Sequence, residues 1–127
     1  MKLIVGGAFQ GKTVFAKEQF QLEEGLVDGK TCSKEELFSC RGVNCFHEYI
    51  KRRLQGGEEV DDLANELAAE NPDCIVIIDD LGCGVVPIDV FERLYREQNG
   101  RVCTALANKA TKVYRVVCGI GQVIKDA

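Results

Sequence analysis

Residues Gly6-Gly7-Ala8-Phe9-Gln10-Gly11-Lys12-Thr13 fit the spacing GxxxxGK[ST]. Each position in that spacing has a chemical task. Glycines let successive backbone N–H groups curl round an anion, the lysine reaches β- and γ-phosphates, and the hydroxyl can ligate a divalent cation. The helix expected next would turn its positive end to the same anion. A plain strand-to-helix turn would also use glycines for tightness, but it would have no need of the Lys-Thr pair. We therefore expect residues 6–13 to hold ATP or GTP, with Lys12 on the phosphates and Thr13 on magnesium.

Asp79 and Asp80 close the apolar run "CIVII". An acid at such a strand end supports magnesium directly or through water; the competing reading is an acidic turn at a sheet edge. If the strand persists, the two side chains point to opposite sides. His47, the only histidine, has two readings. It is either a nucleophile that accepts a nucleotidyl group or a surface histidine at a helix start. Lys51, Arg52 and Arg53 follow it as phosphate ligands or as a solvated face. On a helix Lys51 shares the His47 face and Arg52 does not. Asp61 and Asp62 read as solvent-facing.

The elements that must position these groups alternate. Residues 2–5 read as a buried strand and 12–22 as a helix with Val14, Phe15 and Phe20 in apolar contact. A short strand is expected within 24–30, and Ser33 with Glu36 makes a capping box that starts a short helix. Residues 41–46 read as a third strand, 47–54 as a helix stopped by Gly56-Gly57, and 58–70 as a helix from the period of Val60, Leu63, Ala64, Leu67 and Ala68. Asn71-Pro72 ends it. The continuous apolar run in 73–80 predicts a strand covered on both faces. A loop at 81–87 leads into a long helix over 88–110, with Gly100 as its candidate bend. Its face is Phe91, Leu94, Tyr95, Gln98, Val102, Leu106 and Ala110. Strands are expected at 112–118 and 121–125. The sum is an α/β fold of P-loop NTPase type, a mostly parallel sheet with helices on both faces, in one domain over 1–127.

The 127 residues suffice for one core, and a net charge of −4 argues against nucleic acid as partner. No apolar run is long enough to span a membrane, and the opening strand does not read as a signal peptide. The seven cysteines are odd in number and contain no CxxC pair. Free thiols in a cytoplasmic protein are expected, with Cys74 and Cys118 as small buried hydrophobes.

Several segments together resemble the adenosylcobinamide kinase / adenosylcobinamide-phosphate guanylyltransferase family of cobalamin biosynthesis. Gly6-Gly7-Ala8 with Gly11-Lys12-Thr13 is similar to its GGA-xx-GK-[ST] loop. "DDLGCGVVP" resembles its acidic residue followed by G-x-G-[IV]-V-P. Arg93, Tyr95, Arg96, Gly100 and Arg101 match its R-x-[FY]-R-[DE]-x-x-G-R stretch, and "ALANKATKVYRVVCGI" its closing A-x-x-A-x-x-V-x-x-V-V-x-G-[IL]. The resemblance covers 1–20 and 79–125. It implies phosphoryl transfer to a cobinamide hydroxyl, with Asp80 at the position of the family acid orienting the acceptor, and a trimer-like homo-oligomer. The chain is shorter than the family by about a third, and the shortage falls in the middle. There the family carries a guanylylated histidine followed by a basic residue, Pro and Trp. This sequence has no Trp and His47 fits that pattern only loosely. Two other readings stand beside the kinase: a nucleotide-binding module without catalysis, and a small P-loop kinase of another pathway.

Overall fold

The computed structural model describes residues 1–81 and 89–127. Its elements are β1 (Lys2–Gly6), α1 (Lys12–Phe20), β2 (Leu26–Asp28), α2 (Lys34–Ser39), β3 (Gly42–Asn44), α3 (Phe46–Gln55), α4 (Leu63–Glu70), β4 (Ile75–Asp79), α5 (Val90–Lys109), β5 (Lys112–Val117) and β6 (Ile120–Asp126). The six strands form one sheet in the order β2-β3-β4-β1-β5-β6. The first five run parallel, and β6 returns antiparallel beside β5. The expected mostly parallel α/β architecture is what the chain adopts.

Alternation along the strands divides the core. Leu3, Val76, Ile78 and Val113 face one side, where α2, α3, α4 and α5 cover them. Ile4, Ile75, Ile77, Tyr114 and Val116 face the other side, against α1. Both faces are thus covered by helices, which is why β4 can be apolar at consecutive positions. Phe15 and Phe20 of α1 pack on Tyr114 at centroid distances of 5.3 and 5.7 Å. Gly121 of β6 leaves the space that the Phe15 ring fills. Val14, expected in this contact, is exposed. At the start of a short helix, its position turns it away from the sheet.

Boundaries differ from expectation where a local bond takes over. Gln21 adopts φ 51° and ends α1. Glu58 N–H returns to Arg53 O, so residues after α3 turn before α4 begins at Leu63; Val60 is still buried. Ser33 and Glu36 make the capping box in both directions. The Asp89 carboxylate accepts from the amides of Phe91 and Glu92 and caps α5. Leu94, assigned to the core face of α5, is exposed, and buried Asn99 takes a place on that face. The expected loop at 81–87, its G-x-G-V-V-P resemblance, Cys83 and the helix start at 88 lie outside the described residues, apart from Leu81. Among the described residues no helix is long and apolar enough to cross a membrane.

Candidate functional site

The loop after β1 is shaped by two close approaches. A Cβ on Gly6 would stand 2.6 Å from the Val116 carbonyl oxygen of β5. Only hydrogen fits there. Phe9 and Gly11 then take φ of 62° and 83°, which folds the chain back so that α1 starts at Lys12. Phe9 carries this left-handed backbone at a steric cost and holds its ring fully in solvent.

The turn between β5 and β6 braces the loop from outside. Cys118 and Gly119 have φ of 50° and 76°, the signature of a two-residue hairpin turn with both residues left-handed. Cys118 N–H donates to Gln10 Oε1 at 2.7 Å, and Gly119 N–H to Gln10 O at 2.7 Å. Cys118 is therefore an exposed turn residue, not the buried one expected from its apolar neighbours. Cys74 is buried as expected. The six described cysteines are all free thiols.

Lys12 is only 7% exposed. Its ammonium donates to Gly7 O at 2.7 Å and pairs with Asp79 Oδ1 at 2.6 Å. Thr13 Oγ1 donates to Asn44 Oδ1 at 3.1 Å, so its hydrogen is held by Asn44 and its lone pairs are left for a cation. Asn44 Oδ1 is itself fixed by the Cys45 N–H at 2.9 Å.

Asp79 is the hub of the arrangement. Its N–H donates to His47 Nδ1 at 3.0 Å, its carbonyl accepts from Asn99 Nδ2 at 3.1 Å, and its Oδ2 lies 3.5 Å from His47 Nε2. His47 stands in the first turn of α3, as expected, but is buried at 7% exposure rather than on the surface. A ring nitrogen that accepts a hydrogen bond carries no proton, so the imidazole is the Nε2–H tautomer. Burial lowers its pKa from the ordinary value against the opposing pull of Asp79 and Glu48. Tyr95 O–H donates to His47 O at 2.9 Å and is kept protonated by burial.

Lys12, Thr13, Asn44, His47 and Asp79 line one cavity of about 370 Å³, bounded by residues 8–14 on one side and by Lys30, Asn44, Cys45, His47, Glu48 and Asp79 on the other. Asp80 does not line it. Its N–H donates to Gly6 O at 2.9 Å, and its exposed side chain borders a separate cavity with Gly6, Gly7, Gln10 and Arg115. The two acids thus line different cavities, and β4 itself ends at Asp79.

The basic run after His47 is spent on structure. Lys51 lies 4.0 Å from Glu92, Arg52 donates to Gly29 O and Cys32 O, and Arg53 donates to Glu59 O beside Glu58. None of the three lines the loop cavity. Asp61 and Asp62 are exposed, as expected. Sequence reasoning missed Asn44 and Asn99. Their signals were slight: an amide closing a weak strand, and a polar residue on the apolar face of a long helix.

A glycine-rich loop between the central β1 and α1, with an acid at the end of neighbouring β4, defines an α/β protein of the P-loop NTPase type. The family model described as cobinamide kinase / cobinamide phosphate guanyltransferase matches residues 19–124, and the chain belongs to that family. The match includes the middle of the chain, which the resemblance by motifs had left out. Among curated proteins, none matches the chain significantly.

Proposed function

We propose that the protein is a kinase that binds ATP or GTP at residues 6–13 and phosphorylates a hydroxyl of a cobinamide. The observation that carries this reading is the convergence of Lys12, Thr13 and Asp79 on one cavity at the carboxyl ends of parallel strands. Ligands in open α/β sheets bind at that edge. Family membership supplies the acceptor class.

In this reading a terminal phosphate oxygen replaces the Gly7 carbonyl as acceptor for the Lys12 ammonium. Loop amides take the remaining negative charge. The acceptor oxygen attacks the γ-phosphorus, the bond to the β,γ-bridging oxygen breaks, and its electron pair leaves with the nucleoside diphosphate. The hydroxyl proton passes to solvent. Little covalent chemistry is asked of the protein, so fixed charge and position are the main contributions. Asp80, on the other flank of Gly6 and Gly7, is the carboxylate assigned to orient the acceptor.

Magnesium suits the donors present. Among the described residues no three His, Cys, Asp or Glu side chains gather to hold a metal by themselves. A hydroxyl with free lone pairs and one carboxylate instead fit a cation that shares its shell with phosphates and water. Thr13 and Asp79 would hold it, and when bound it would neutralise charge on the phosphoryl oxygens.

His47 supports the kinase without guanylyl transfer. A nucleophilic imidazole needs an available lone pair. The one on Nδ1 accepts from Asp79, and Nε2 carries the proton. The free thiols suit a reducing cytoplasmic setting. The test is incubation with γ-labelled ATP or GTP, magnesium and a cobinamide. Label in the cobinamide supports the reading. Nucleotide binding with no transfer to a cobinamide supports the non-catalytic module, and transfer to another acceptor supports a kinase of another pathway.

A further inference from the structure

Resting on that reading, we propose that Lys30 is a second phosphate-binding cation of the site, reaching the terminal phosphoryl group of the nucleotide from the wall opposite Lys12.

Lys30 lies in the turn between β2 and α2 and lines the same cavity as Lys12, Thr13 and Asp79. No phosphate-loop spacing points to it. Its backbone is fixed from several directions. Lys30 N–H donates to Asp28 Oδ1 at 2.9 Å, and the amides of Thr31 and Cys32 return to Asp28 O at 3.1 and 2.8 Å. Gly29 N–H donates to Asn44 O at 2.7 Å, and the Arg52 guanidinium holds Gly29 O and Cys32 O at 2.9 Å each. A Cβ on Gly29 would run into the Cys45 carbonyl, so this turn is seated directly on the strand end that carries Asn44. The chain therefore pins both neighbours of Lys30 while leaving its long side chain exposed.

The charges of the cavity show what that side chain lacks. Lys12 and Asp79 neutralise each other at 2.6 Å. Among the described residues Lys30 makes no ion pair, and Glu48 is the other acid on the cavity wall. A triphosphate brings several negative charges, and one lysine already paired to a carboxylate answers little of that. Lys30 supplies an uncommitted ammonium on a rigid base. A cation anchored beside the place where negative charge gathers offsets that charge in the transition state. The phosphoryl oxygens between the breaking and forming P–O bonds are the group it meets; Lys30 neither gives nor takes a proton in the step.

The test compares wild type, Lys30→Met and Lys30→Arg by calorimetry with the ATP/ADP and GTP/GDP pairs in magnesium, and by kcat and KM for transfer. Lys30→Met is expected to weaken triphosphate by about tenfold or more while diphosphate affinity changes little, as for loss of one charged hydrogen bond. Its kcat should fall further than its thermal midpoint can explain, and Lys30→Arg should restore part of both losses. Unchanged triphosphate affinity in Lys30→Met, or an equal loss for diphosphate and triphosphate, overturns the assignment. If wild type binds no nucleotide, the reading of the whole site fails instead, which the wild-type titration shows separately.

Discussion

Lys12, Asp79 and His47 form a chain of dependence in which each residue fixes the next. Lys12→Ala is expected to weaken triphosphate more than diphosphate by about 1–3 kcal/mol, the range for a charged hydrogen bond; calorimetry with ATP and ADP measures the difference. Asp79→Asn leaves the buried Lys12 ammonium without its carboxylate, and urea unfolding should show a loss of about 2 kcal/mol. His47 gives a pH signature. Burial lowers its folded-state pKa below the ordinary 6.5, so the unfolded chain binds the proton first as pH falls. Its contribution is fully kept above pH 6.5, is lost progressively below it, and stops changing once the folded-state value is passed. Thermal melts with EDTA between about pH 7.5 and 5.5 should show that slope in wild type and a flatter one in His47→Gln. That Lys12, Thr13 and Asp79 would line one cavity was legible because their types and spacing have few other uses. The surroundings of His47 were not. Its burial depends on Asp79, Tyr95 and the closure of α3 on α5, and no local pattern encodes contacts between residues so distant in the chain.

At the scale of elements, the loop is held by the turn between β5 and β6 as well as by β1 and α1. Gly6→Ala should force β5 away from β1, since the added carbon meets backbone and not a side chain that can rotate. We expect a lower melting temperature together with loss of nucleotide binding, readable by scanning fluorimetry with and without ATP. Gly119→Ala is milder. Nothing lies near its Cβ, so the cost is the left-handed backbone alone, about 1 kcal/mol. Helix and strand identity was legible wherever period and capping agreed, as in β4, α2 and α5. The hairpin turn was not, because Cys118 follows an apolar run and reads as its continuation. Its conformation is set by the need to reverse the chain in two residues and by the bonds to Gln10. Likewise the helix expected from 58 starts at Leu63, because the amides of Gly56, Gly57 and Glu58 turn back to the end of α3.

Across the whole molecule, the sheet order places β1 at the centre with the acid-bearing β4 on one side and the bracing β5 on the other. That order could not be read from periodicity, which identifies strands but not neighbours. Alternating strands and helices made parallel pairing the natural expectation, and only β6 departs from it, through its tight hairpin. The thiols are a property of the chain as a whole. Alkylation after denaturation without reductant should modify all seven cysteines by intact mass, and a shortfall of two would reveal a disulfide. The proposed reaction moves a phosphoryl group from nucleotide to cobinamide through this loop. The most direct measurement is γ-labelled ATP or GTP incubated with magnesium and cobinamide, in wild type and Lys12→Ala, with the products separated. Labelled cobinamide phosphate is expected from wild type and almost none from Lys12→Ala; label that never enters cobinamide, or enters it equally with both proteins, would contradict the proposed transfer.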